Sequence, residues 1–417
     1  MTKLLEGVRV LEFGLLLNGD QLGMYLADLG AEVIKVEDVA RGDYLRDILG
    51  QIAPHQSPAH LQANRNKKSL ALDVRGEEGR ALFFRLLETA DIFIDGLRPG
   101  ACEALGIGYE AQKAAKPGIV YVQYTGYGAC GPYANIPTHG YQMSALAGAF
   151  PARIGDDGRP IRTRGVQYMG GTEESSSPSA LGAQFAAMTA LAALLRVQRG
   201  GPGAHIDVAA SDAVVAASWM GVVYNLNYDR ITDFKSLAPK QDSYEARWPN
   251  GSSRYQLYAT RDDKLLLVGF IEAKFWTAFC KAVDRPDLID TMRAGFPVDF
   301  GDDKPWLRDE VAGIVAARTL DEWMRLAADL GIPMGPAHRL EDVPRDPHIK
   351  TRGLFIETEI EGAGPFTYVG FPALIDGEGS QMPTRAPHHG EHSAEMLATI
   401  GVDAGGLAKL RASGVVK

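Results

Sequence analysis

Apolar positions along the first half of the chain switch repeatedly between two periods. GVRVLEFG reads as a strand, and DQLGMYLADLG then spaces its apolar residues at the helical interval and stops at Gly30. AEVIKVE reads as a second strand, GEEGRALFFRLLETA as a helix with an apolar stripe, and DIFIDG and GIVYVQYTG as two further strands. Buried parallel strands need helical crossovers, so this order predicts an α/β fold with a Rossmann-like βαβ sheet.

A connection rich in Gly, Pro and Tyr, TGYGACGPYANIPTHGY, leads toward the long apolar helix ALGAQFAAMTALAALLRVQRG and the strand HIDVAAS. After a polar stretch near 229–250 the texture changes. RYQLYATRDDKLLLVGF reads as a hairpin, AKFWTAFCKAV and the segment from Trp306 to Leu330 as helices, and GLFIETEIEGAGPFTYVGFP as antiparallel strands. The helix AEMLATIGV is expected to return to the first domain. The domains expected are therefore a large Rossmann-like one over 1–228, a smaller α+β one over 229–370, and a C-terminal segment, 371–417, that rejoins the large one.

Composition narrows the partners. With 43 basic and 52 acidic side chains the formal charge is -9 and no run of five like charges occurs, which argues against nucleic acid and anionic membranes. The N-terminal MTKLLEGVRVLEFG shows no apolar leader pattern, and no stretch reads as a membrane span, so a cytoplasmic location is expected. Cys102, Cys130 and Cys280 stand in no metal-ligand spacing and read as free thiols. His388 and His389 in APHHGEH lack a nearby cysteine or paired carboxylate and read as loop residues, so no metal ligand is assigned.

Common catalytic signatures are missing: there is no GxxxxGK[ST], no GxSxG and no HExxH, and the first strand is followed by GLLLNGDQLG rather than a dinucleotide fingerprint. A nicotinamide-dependent oxidoreductase therefore carries little weight. Nine segments in order do carry a resemblance: LLEGVRVLEFG, LADLGAEVIKVE, ARGDYLRD, NRNKKSLALDV, GLRPGACEALGIGYE, TGYGACGPYANIP, RGGPGAHIDV, VPRDPHIKTRGLF and RAPHHGEHS. Together they resemble the family III coenzyme A transferases, a family that also contains the α-methylacyl-CoA racemases.

The resemblance implies an interlocked dimer, each chain with a large Rossmann-like and a small domain, and CoA thioesters as substrates with no covalently bound cofactor. It places CoA contacts at Leu72, Arg75, Gly96, Leu97 and Arg98. In the family an aspartate attacks the acyl-CoA thioester, giving a mixed anhydride and then an aspartyl-CoA thioester. Counting back from the long helix puts that aspartate at Pro178, between Ser177 and Ser179 and ahead of Gly182; counting forward from His139 and Gly148 puts it near Met169. Neither position is an aspartate, and none occurs between Gln167 and Gln184.

Glu173 and Glu174 are the acids that remain, but TEESSSP reads best as solvated helix-start chemistry, because a nucleophile must be held rigidly. His139 matches a racemase histidine whose partner acid would be the same missing aspartate, so it reads as a structural or pocket-lining histidine. No catalytic residue is assigned, with Glu173, Glu174 and His139 as fallbacks. Asp38 and Ala104 stand where the family has phosphate-binding arginines, with Lys67, Lys68, Arg75 and Arg98 near enough in sequence to compensate.

These departures point to a noncatalytic subunit of a heteromeric CoA-transferase, partnered by a homologous aspartate-bearing subunit, with acyl-CoA and dicarboxylate substrates. Succinyl-CoA:benzylsuccinate CoA-transferase of anaerobic toluene degradation is the precedent within the family. The alternatives are a self-sufficient transferase or racemase using a non-standard residue, and a non-enzymatic CoA-binding module.

Overall fold

The computed structural model describes residues 3–149, 152–162, 177–230, 252–295, 297–301 and 303–417. They divide into two compact units. One is Val223–Asp346, and the other joins the chain before it to Pro347–Lys417.

In the larger unit the strands are β1 (Arg9–Gly14), β2 (Glu32–Glu37), β3 (Lys67–Ala71), β4 (Ile92–Gly96), β5 (Val120–Thr125), a small hairpin of β6 (Ala152–Ile154) and β7 (Pro160–Arg162), and β8 (Ala204–Ala209). Six of them form a sheet in the order β3-β2-β1-β4-β5-β8, every neighbouring pair parallel. The α/β class expected from the alternating texture is what forms. Both faces are covered, which is why β5 is buried at every position instead of alternating.

On one face lie the first helix, Leu17–Asp28, and the long helix Ser177–Gln198, packed through Leu22, Leu26, Ala183, Ala186 and Ala190 onto Val10, Ile92, Ile94 and Val122. On the other, the helix Glu77–Leu87 and the C-terminal helices bring Phe83, Leu86, Met396, Leu397 and Leu410 against Leu11, Ile34 and Phe93. Each fully buried Leu, Ile or Phe contributes roughly 1.5–3 kcal/mol. The stretch Pro178–Gln198 is long and apolar enough, by length and composition, to cross a membrane, which corrects the expectation that no segment reaches that length. Its small residues explain the composition: alanines let this helix lie close against the sheet and the first helix.

One strand of this unit was not legible as such, and one hairpin was read as strands of the other domain. β3, KKSLA, opens with two lysines, and Lys67 is nonetheless buried. The hairpin of β12 (Phe355–Ile360) and β13 (Gly364–Val369), read as the end of the small domain, lies in the larger unit. Gln62 exchanges two hydrogen bonds with the backbone of Val369, at 2.8 and 3.1 Å, and Leu61 packs on Ile360 and Tyr368.

The smaller unit holds a three-stranded antiparallel sheet of β9 (Tyr255–Ala259), β10 (Leu265–Gly269) and β11 (Met334–Pro336), in the order β11-β10-β9. Its core gathers Trp276, Phe279, Phe270 and Trp323 from the strands and the helices Ala273–Ala282 and Leu320–Leu330. The last helix starts at a Thr319–Glu322 capping box and ends at Gly331 in the left-handed conformation, φ 63°.

Candidate functional site

Strand order reverses between β1 and β4, and in an open parallel sheet the crevice at such a reversal is where ligands lie, beyond the carboxyl ends of the strands. Gly14 and Gly96 are register partners at that point. A Cβ on Gly96 would come within 3.0 Å of the Gly19 Cα and 3.1 Å of the Gly14 Cα, so three glycines let the first helix start directly against both strands. Gly96, Leu97 and Arg98, three residues the sequence assigned to CoA, follow β4 at this mouth. Arg98 is exposed and pairs with no carboxylate among the described residues.

Asp95 fixes the backbone beneath them. Its buried carboxylate accepts the Leu97 N–H at 3.1 Å, the Tyr121 hydroxyl at 2.7 Å and the Gln123 amide at 3.3 Å. Burial raises its pKa to about 6, against the lowering effect of the Tyr121 and Leu97 hydrogen bonds.

Leu72 and Arg75 lie beyond the end of β3. Leu72 is buried in the core, its N–H donating to the Glu37 carbonyl, so almost none of it is exposed to a ligand. Arg75 is exposed and bridges two acids, Asp73 at 2.7 Å and Asp38 at 3.2 Å. Asp38 also accepts the Ala40 and Arg41 N–H groups, so it is a turn residue with its charge partly answered. The structure removes two of the cations expected to compensate for it. Lys67 is buried among carboxylates, and Lys68 pairs with Glu32 and Glu395, each at 2.7 Å. Ala104 closes a four-residue helix and is exposed.

Sequence reasoning missed a buried charge cluster behind β1. Lys35 contacts Glu12 at 3.1 Å, Asp43 at 2.9 Å, and Asp20; Lys67 contacts Glu12 at 2.7 Å. Arg46 pairs with Glu37 at 2.7 Å and reaches His60 at 2.9 Å, and Asn64 joins His60 to Asp20. Burial pulls Lys35 down, but the carboxylates of Asp20, Asp43, Glu12 and Glu37 outweigh it and hold the ammonium charged. Burial also raises Asp20 well above the usual range, helped by Asp43 and Glu12. Asp43 stays near 2 despite burial, because Lys35 and the N–H groups of Leu45 and Leu16 favour its charged form. His60 is pushed down to about 3 by burial and by Arg46, and is neutral. The available signal was a charged residue inside each of two apolar strand patterns, Glu12 and Lys35.

The first turn of the helix Ser177–Gln198 contains no acidic residue. Pro178 and Ser179 are buried; the Ser179 hydroxyl donates to Asn18 Oδ1 at 2.8 Å and its carbonyl accepts the Tyr124 hydroxyl at 2.6 Å. Gly182 is required by that tyrosine, since a Cβ there would sit 2.3 Å from its oxygen. Met169, Glu173 and Glu174 lie outside the described residues. His139 is exposed, and its N–H donates to the Gln142 side chain at 2.7 Å. His389 and His392 pin the C-terminal segment to Asp38 and Ser69. Among the described residues no cluster of His, Cys, Asp and Glu has the makings of a metal site.

Among the described residues the site is thus a glycine-lined crevice with Arg98 exposed at its mouth, a buried electrostatic floor, and the Ser179 hydroxyl and a proline where the long helix begins. Its relatives share the whole architecture. The profile of CoA-transferase family III matches residues 5–393, and the chain belongs to that family. It is 30% identical to succinyl-CoA:glutarate CoA-transferase of Mus musculus, covering 100% of this chain and 91% of that one. It is 29% identical to the succinyl-CoA–L-malate CoA-transferase alpha subunit of Chloroflexus aurantiacus, over 86% of this chain and 80% of that one. A crystal structure of a hypothetical protein from Mycobacterium tuberculosis superposes with a TM-score of 0.73 at 26% identity, covering 94% of this chain and 98% of the other.

Proposed function

We propose that this chain is the noncatalytic subunit of a heteromeric CoA-transferase that moves CoA from succinyl-CoA to a dicarboxylate of the benzylsuccinate type. The observation that carries this is the start of the long helix. At Pro178, the one of the two aligned positions for the family's nucleophile that lies among the described residues, the first turn offers a proline between two serines, with Ser179 already committed to Asn18. A hydroxyl tied as a donor to an amide oxygen, with no base hydrogen-bonded to it among the described residues, is a poor nucleophile. Mixed-anhydride chemistry needs a carboxylate there.

The substrate class follows the relatives, whose names pair succinyl-CoA with glutarate or malate. The alpha-subunit designation of one of them supports an enzyme built from unlike chains. In this reading Gly96, Leu97, Arg98, Leu72 and Arg75 border the CoA groove, the sister chain supplies the aspartate, and the two chains form the interlocked dimer in the cytoplasm. The test is co-expression with an aspartate-bearing homologue. The two chains are expected to copurify, and the mixture to catalyse succinyl-CoA-dependent transfer that stops when the sister's aspartate is changed to asparagine. Failure to copurify with any aspartate-bearing homologue encoded beside it contradicts the proposal.

A further inference from the structure

The turn that joins β1 to the first helix has a backbone no leucine adopts freely. Leu16 sits at φ 61°, ψ -155°, in a region that is essentially reserved for glycine and that persists only where the surroundings impose it. Here the imposing groups are identifiable. Lys35 Nζ donates to the Gly14 carbonyl at 3.2 Å, just before the strained residue. The Asp43 carboxylate accepts the Leu16 N–H at 3.2 and 3.3 Å. Lys35 and Asp43 are themselves an ion pair at 2.9 Å, with both side chains fully buried. One buried pair therefore grips the turn at two points, one on each side of Leu15.

Leu15 is what the grip leaves outside: it is 41% exposed although apolar, at the carboxyl end of β1. Across the register pair Gly14 and Gly96, the next residue after β4 is Leu97, half-buried. Two leucines thus follow the paired glycines at the mouth of the crevice.

We propose that Lys35 and Asp43 form a positioning clamp that fixes the strained turn and presents Leu15 to the apolar part of a bound thioester. The inference rests on the CoA reading of the crevice. That apolar part is either the pantetheine chain or an aryl or alkyl acyl group. Asp43 acts through the Leu16 amide and touches no ligand, and Leu15 makes the contact. Glycine at 16 has no Cβ to strain, so it adopts the same turn without being held.

The test uses the full chain and two readouts. Hydrogen exchange at the Leu16 amide reports the clamp, and calorimetric titration with CoA, succinyl-CoA and benzylsuccinyl-CoA reports the contact. Asp43→Asn is expected to speed Leu16 exchange and weaken thioester binding about tenfold, a difference of ~1.4 kcal/mol. Adding Leu16→Gly to Asp43→Asn is expected to restore affinity to within about threefold, ~0.65 kcal/mol. A purely structural role for Asp43 would leave the double variant as weak as the single one, and that result overturns the clamp.

Leu15→Ala, exposed and harmless to folding, decides the contact. Weakening toward all three compounds assigns Leu15 to pantetheine, and weakening toward benzylsuccinyl-CoA alone assigns it to the acyl group. Unchanged affinity for all three overturns the role given to Leu15 while leaving the CoA reading intact. If the unmodified chain binds none of them, the CoA reading fails, and Leu16 exchange alone judges the clamp.

Discussion

The turn after β1 is met from one side by a nest of buried ions and from the other by the start of the long helix, and the two use their polar groups differently. Behind the turn, Glu12, Asp20, Asp43, Lys35 and Lys67 are fully buried or nearly so and answer one another. At the helix start Ser179 meets Asn18 of the same turn through one neutral hydrogen bond, and Pro178 contributes no polar side-chain atom at all. Carboxylates remain abundant where they shape the backbone, and are absent from the described turn where covalent chemistry would require one. The charges behind the turn are held by folding, whatever group carries out the chemistry at the helix start.

The contrast predicts a steep ranking of substitutions. Lys35→Met leaves three acids without their shared cation, and removing one partner of a buried pair costs about 3–5 kcal/mol. Urea denaturation should show a loss of that size, and a loss under 1 kcal/mol would break the claim that the cluster supports the turn.

The next effect belongs to Asp95, whose carboxyl is raised to about 6 in the fold from 3.8. A raised acid contributes stability that is fully present below the unfolded pKa and is lost as pH climbs through the folded value, here between about pH 4 and pH 6. The shift corresponds to about 2–3 kcal/mol. Asp95→Asn should therefore gain stability relative to the unmodified chain by about that amount between pH 4 and pH 7, read from melts across that range. A parallel pair of pH profiles would sink this account of Asp95.

Ser179→Ala should have the smallest effect, about 0.5–1.5 kcal/mol, because it removes one neutral hydrogen bond. It should leave transfer by the co-expressed pair unchanged. Loss of transfer with stability intact would make Ser179 a chemical participant and erase the contrast.

Why some of this was legible and some was not follows from sequence distance. β1, β2, β4, β5 and β8 and the long helix carry their signal locally, in apolar spacing that the structure keeps. β3 and the helix Pro58–Ala63 carry a weaker one, since beside their apolar residues they bury Lys67 and His60, polar side chains met by partners from other elements. Lys67 meets Glu12 across 55 positions, so it does not advertise burial in its own neighbourhood. The same reason misplaced the cations near Asp38: Lys67 and Lys68 are adjacent to the groove in sequence and engaged elsewhere in space. The strand read in DIFIDG does end at Gly96, because its apolar run is a local pattern, and Leu97 and Arg98 follow it directly.

The central claim is that this half-site performs no covalent step, and the most direct test is succinyl-CoA-dependent transfer to benzylsuccinate by the chain alone and after co-expression with an aspartate-bearing homologue. No turnover is expected from the chain alone, turnover is expected from the mixture, and no loss is expected when Glu173→Gln and Glu174→Gln are introduced into this chain. Turnover by the isolated chain that either glutamine substitution abolishes would contradict it, and would assign the nucleophile to this chain.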